Sequence, residues 1–195
     1  NTMNLTYYPY EPFSIKSDKP TVIETNNHEI YQKLIQSFND FDSAIKFNTD
    51  DFELVETSKA LRWFGDAFMQ VDLDKEFQTN IYKQIQNVVT DDQQQEIYNL
   101  VQLLKNKLTE ITYMFDLPLE VEENFEMSKA IKLCNIHFDT QLKTSPYGII
   151  ETILKAANEL NETRILGFKN VTDYLNDSEL QELFELSKTL NLNIL

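Results

Sequence analysis

The chain has 195 residues, 42% of them hydrophobic and 12% aromatic, with a net charge of −15. That composition describes a folded globular protein with a sizeable core, not a disordered chain, and no apolar run approaches the ~18 residues that span a bilayer. The acid excess argues against a broadly basic, nucleic-acid-coating surface, and three glycines in the whole chain leave no Gly-rich phosphate cradle.

A local basic face can coexist with an acidic exterior, because net charge describes the whole surface. The lone cysteine, Cys134, excludes an intramolecular disulfide framework; with no signal peptide in view, it fits a reducing cytoplasm. Asn1-Thr2 ahead of Met3 reads as a cloning remnant, with Met3 as the native start.

In chain order, Leu5, Tyr7, Phe13 and Ile15 alternate with polar neighbours and predict a strand hairpin. Val22 and Ile23 form the next predicted strand. A glycine-free turn, Asn26-Asn27, then leads into a helix over 28–39, whose Ile30, Tyr31, Leu34, Ile35 and Phe38 keep helical spacing. A strand feeding a helix is where a phosphate loop would sit, yet no Gly-Lys-Ser/Thr occurs anywhere. Short strands follow at 44–47 and 52–55, and 60–68 is ambiguous.

From Asp72 the pattern becomes helical. Phe77, Ile81, Ile85, Val88 and Val89 mark one helix. Thr90-Asp91-Asp92 breaks it and caps a second, striped by Ile97, Leu100, Val101, Leu104, Leu108, Ile111 and Phe115 and ended by Pro118. So short a turn predicts a back-to-back helical hairpin. An acidic link and a short helix from about Phe125 follow. Further predicted elements are a strand at 136–138, a helix opening at Pro146, a strand within "RILGFKN", a helix with a Ser178/Gln181 capping box, and a closing strand "LNIL". Strand–helix–strand of this length argues a right-handed parallel crossover. The predicted architecture is an α/β head of residues 3–71 and 136–195, interrupted by an α-helical leg over 72–135.

Familiar catalytic signatures are missing. His28-Glu29 lacks the second histidine of a zinc protease motif, no Gly-x-Ser-x-Gly occurs, and "DLDKE" lacks the glycine of a calcium loop. Four carboxylates, Glu120, Glu122, Glu123 and Glu126, crowd within seven residues. They read either as a solvated acidic turn favoured by a helix N-terminus or as a hard-cation site. Lys105, Lys107, Lys129, Lys132 and Lys143 cluster in the leg and its return. Singly each is a solvated helix-face charge; multiplied by oligomerisation they could line a basic surface.

The stretch "IIETILKAANELNETRILGFKNVTDYLNDSELQELFELSKTLNLNIL" resembles the ring-forming CRISPR-associated spacer-acquisition protein of type II-A systems, with its helix, Asn-ended strand ("GFKN"), "YL", helix and closing apolar strand. The opening "MNLTYYPYEPFSI", the glycine-free turn and the helical hairpin follow the family's order too. The resemblance implies a P-loop-ATPase-like head with a mixed sheet but no Walker A loop, and no catalysis. It implies a homotetrameric ring on the ends of linear double-stranded DNA, beside the CRISPR integrase and the RNA-guided nuclease. It further implies calcium, with Glu120, Glu122 and Glu123 carried over as ligands, and DNA contact by the lysine-bearing region. The alternatives are a protein-interaction scaffold with weak DNA contact, and a nucleotide-dependent enzyme, against which the glycine-free turn counts strongly.

Overall fold

The computed structural model describes residues 3–195; Asn1-Thr2, read above as a remnant, lies outside them. The described chain divides into two compact units, residues up to 72 with Asp139–Leu195, and Leu73–Phe138. The first unit opens with β1 (Met3–Tyr7) and β2 (Phe13–Ile15), the predicted antiparallel hairpin, with Leu5 opposite Phe13. Next come α1 (His28–Phe38), β3 (Ile45–Thr49), β4 (Leu54–Val55), α2 (Thr57–Ala60), β5 (Leu61–Gly65) and α3 (Ala67–Gln70). The second unit supplies α4 (Leu73–Val88), α5 (Asp91–Thr112) and α6 (Met127–Leu133). The chain rejoins the first unit with α7 (Pro146–Glu159), β6 (Ile165–Phe168) and α8 (Asp177–Thr189).

An α/β fold results, but its strands form two sheets where one mixed sheet was expected. The larger is antiparallel throughout, in the order β2-β1-β3-β4. The smaller pairs β5 with β6 in parallel, and Ile194 bridges Leu166 in parallel on the other side of β6. The single turn of α2 separates β4 from β5, and β5 takes β6 as its partner. The period-2 pattern of β1 and β3 places Leu5, Ile45 and Phe47 on one face, where they meet Leu34 and Phe38 of α1 and Leu61 and Ile165 of the parallel pair in one core.

Local signals differ from expectation where tertiary partners intervene. The segment 21–25 is no strand; among the described residues only its Thr21 N–H finds a backbone partner, the carbonyl of Ile194 at 2.9 Å. The α8 capping box lies two residues upstream of Ser178: Asn176 Oδ1 accepts from Glu179 N, and Glu179 Oε2 from Asn176 N, both at 3.0 Å. Of the closing strand, Leu166 N donates to Asn193 O and Leu195 N to Leu166 O, so the crossover after β6 does return in parallel.

Gly167 is set by a close approach across the parallel pair. It stands opposite Trp63 across the parallel pair, and a Cβ there would lie 2.7 Å from Trp63 Cε3 and 2.8 Å from Leu61 Cδ1. The Trp63 ring is backed by Phe38, centroids 4.9 Å apart, and has nowhere cheap to go. Gly167→Ala should therefore destabilise the protein by about 1–3 kcal/mol through overpacking. Urea unfolding monitored through the single tryptophan measures this; a midpoint equal to that of the unsubstituted chain would show that the ring yields freely.

In the second unit α5 opens on the predicted Thr90 cap, a reciprocal box with Gln93. The helices are not back to back as expected. No residue of α5 is buried, and Leu100, Leu103, Leu104, Leu108 and Ile111 stay exposed. The short α6 packs against both long helices and buries Met127 and Ile131. The last turn of α5 ends at Thr112, ahead of Pro118, where Thr109 and Thr112 hydroxyls bond back to the carbonyls of Lys105 and Thr109. Nor is 136–138 a strand: Gln78 and Tyr82 of α4 donate to Ile136 O at 3.0 and 3.1 Å, and Phe138 N donates to Asp74 Oδ1 at 2.9 Å. Side chains of a helix have taken the backbone groups that a neighbouring strand would have used. Among the described residues no helix is long and apolar enough to cross a membrane.

Candidate nucleic-acid interface and acidic link

The turn before α1 is closed to phosphate. Asn27 Oδ1 accepts from Glu29 N at 2.9 Å and from Ile30 N at 3.2 Å, the N–H groups that would otherwise hold an anion at a helix start. Asn27 N in turn donates to Thr25 Oγ1 at 3.1 Å. The turn itself carries no lysine to reach a β- or γ-phosphate; Lys169, from the end of β6, lines the same cavity as residues 20–25.

Two lysines contact the acidic link. Lys129 Nζ lies 2.8 Å from Glu126 Oε1 and 3.4 Å from Glu122 Oε2, and the hydrogen bonds it donates to these two carboxylates raise its pKa. Glu123 offers its backbone carbonyl, not its carboxylate, to Lys105 Nζ at 3.0 Å, and Asn124 O accepts from the same ammonium at 2.7 Å. Glu120, Glu122 and Glu123 are all exposed. Among the described residues no three or more His, Cys, Asp or Glu gather as metal ligands. Glu120, Glu122 and Glu123, the carried-over calcium ligands, thus do not form a cluster among the described residues. Calcium needs about six to eight converging oxygens, and an ammonium already occupies the space between Glu122 and Glu126.

The five predicted DNA-binding lysines divide in the same way. Lys105 and Lys129 are engaged on the link, and Lys107 pairs with Glu110 at 2.7 Å on its own helix. Lys132, in the last turn of α6, and Lys143, in the 3-10 turn Thr140–Thr144, are exposed and make no hydrogen bond or ion pair among the described residues. They belong to different units, Lys132 to the second and Lys143 to the first.

Both arginines are committed to one carboxylate, which the sequence reading missed. Glu162 receives Arg164 Nε at 2.9 Å and Nη2 at 2.6 Å, while Arg62 Nη1 reaches its Oε2 at 3.3 Å. Its side chain is only 10% exposed. Burial alone would raise its pKa, but the bonds from Arg164 and the charges of both arginines overcome this and lower it to about 2. The Glu162–Arg164 spacing in "ETR" is visible in the sequence; the partner one hundred residues away is not.

The model of the CRISPR-associated Csn2 protein family matches residues 39–195. The chain belongs to the Csn2 family. No curated protein sequence matches it. Among solved structures it is similar to Stu0660 of Streptococcus thermophilus, with a TM-score of 0.57 and 11% identity over 100% of this chain and 67% of that one; at that identity the likeness concerns the fold. Within the Csn2-matched region the quoted motif residues have structural reasons. Asn170, ending "GFKN", adopts a left-handed conformation at φ 61°, which asparagine tolerates better than most residues. Tyr174 of "YL" donates its hydroxyl to Asp66 Oδ2 at 2.7 Å, and Leu175 is buried. Asp66 also caps α3 through Met69 N at 3.1 Å. Burial would raise the Asp66 pKa, but the Tyr174 and Met69 bonds hold it below its ordinary value. This buried carboxylate was not singled out in the sequence; its only local signal is the Asp-x-x-Met cap.

Proposed function

We propose that this Csn2-family protein serves CRISPR spacer acquisition as a homotetrameric ring that closes on the ends of linear double-stranded DNA. It works beside the integrase and the RNA-guided nuclease in the cytoplasm. The observation that carries the reading is the division of the cations: Lys132 and Lys143 are exposed and unpaired among the described residues, whereas both arginines are spent on Glu162. Lysine is a flexible point charge suited to phosphate, and guanine readout favours arginine, so contact runs through the backbone and is independent of sequence. No catalysis is assigned, because Asn27 takes up the Glu29 and Ile30 N–H groups at the α1 start and the turn carries no lysine for a nucleotide. This reading assigns no role to calcium at the acidic link, where the Lys129 ammonium lies between Glu126 and Glu122.

A closed ring loads only where the duplex has an end. In competition shift assays linear fragments should displace a bound linear probe, and covalently closed circles of the same sequence should not. ATP in the same reactions should be neither required nor hydrolysed. Equal competition by circles removes threading, and steady ATP turnover by the purified protein removes the non-enzymatic reading. The alternative, an interaction scaffold with weak DNA contact, is favoured by the exposed apolar stripe of α5 and by the net charge of −15; it expects circles and linear fragments to compete equally and weakly.

A further inference from the structure

We propose that Lys105 and Lys129 are the resident counter-cations of the acidic link, fastening residues 118–126 to α5 and α6 where a divalent cation would otherwise be required. The link is anomalous without them. Four carboxylates within seven residues repel one another, yet the link lies against α5 at Lys105 and Tyr98.

The two ammonium groups act by different chemistry. Lys105 projects from α5 and places Nζ against two successive carbonyl oxygens, Glu123 O at 3.0 Å and Asn124 O at 2.7 Å. Successive carbonyls turned toward one point are how a backbone grips a hard cation, and here the cation is covalently supplied by the helix. Lys129 neutralises the carboxylates themselves, bridging Glu126 at 2.8 Å and Glu122 at 3.4 Å. Charge-assisted bonds of this type are roughly twice as strong as neutral ones.

A second contact shows that the fastening has a register. The rings of Tyr98 and Phe125 meet edge to face, centroids 5.4 Å apart at 90°. Tyr98 and Lys105 are two helical turns apart on one face of α5. Tyr98 meets Phe125 and Lys105 meets residues 123 and 124, so the link runs antiparallel along that face, pinned at both places. Two pins define a direction, and the ammonium pin is independent of any solute. Lys105 and Lys129 are positioning residues of the leg, and are therefore unavailable to phosphate.

The test needs no DNA, so its failure is separable from failure of the ring reading. Amide hydrogen exchange of residues 118–126 is followed in the full chain, with calcium chloride or with EDTA. Link protection and melting temperature in the unsubstituted protein should be the same in both. Lys105→Met should speed link exchange by about tenfold, through removal of charge-assisted bonds at two carbonyls, while Lys105→Arg should retain most of the protection. A calcium-dependent rise in protection or melting temperature of the unsubstituted protein would overturn the proposal, and so would unaltered link exchange in Lys105→Met. The comparison of calcium with EDTA uses no variant and decides the matter even if the methionine form folds poorly.

Discussion

Raising salt from about 50 to about 200 mM should weaken binding to a linear duplex roughly a thousandfold, the drop expected for about six neutralised phosphates. Of the five lysines of this region, Lys132 and Lys143 are exposed and unpaired among the described residues of each chain, and the proposed ring would repeat them around the duplex. Each neutralised phosphate contributes about −0.9 to the slope of log affinity against log salt. Lys132→Ala with Lys143→Ala should therefore flatten the slope by about 0.9 for every phosphate no longer neutralised. Size-exclusion elution of the double variant, compared with that of the unsubstituted protein, separates loss of phosphate contact from loss of the oligomer. Changing the DNA sequence at fixed length should leave affinity unaltered, since both arginines are held by Glu162. Titrations at several salt concentrations measure the slope directly. An unchanged slope in the double variant would remove these two lysines from the interface. A marked sequence preference would mean that a base reader has been overlooked.

Glu162→Gln should destabilise the protein by about 2–3 kcal/mol, below the usual cost of breaking a fully buried pair because Arg164 keeps partial access to water. One carboxylate, 10% exposed, serves two guanidinium groups, and Arg62 at 14% has little water to fall back on. The same group makes stability pH-dependent. Its pKa is lowered from 4.5 to about 2 in the folded protein, so the folded state holds the charged form more tightly than the unfolded chain does. The resulting stabilisation is complete above about pH 5 and is lost as pH falls from there through about 2. A shift of this size amounts to roughly 3 kcal/mol. Thermal or urea midpoints from pH 7 down to pH 2 should fall more steeply for the unsubstituted protein than for Glu162→Gln over this window. Parallel curves would show that the acid sensitivity resides in other carboxylates.

Much of the fold was legible because it is written in short-range relations. Alternation in residues 3–15 specified the hairpin, the spacing of Leu34 and Phe38 specified α1, and Pro146 specified the start of α7. Those signals concern residues one to four positions apart, whose mutual placement follows from backbone geometry alone. The quoted motifs of residues 145–195 also carried the family, because a left-handed Asn170 and a buried Leu175 leave recognisable residue types.

Choices between distant partners were not legible. The β-branched run 21–25 and the apolar 136–138 have the composition of strands, but a strand exists only when another backbone supplies its bonds. Ile136 and Phe138 found Gln78, Tyr82 and Asp74 instead. The stripe of α5 predicted burial, and tertiary packing left it exposed because α6 took the place beside α4. Composition could count five lysines in the region but could not sort them. Lys105 and Lys129 became internal counter-charges, Lys107 paired along its own helix, and Lys132 and Lys143 stayed free among the described residues. Residue type determined that these groups are charged; only the folded chain, by bringing particular oxygens within about 3 Å of particular nitrogens, decided which charges face one another and which are left for a partner.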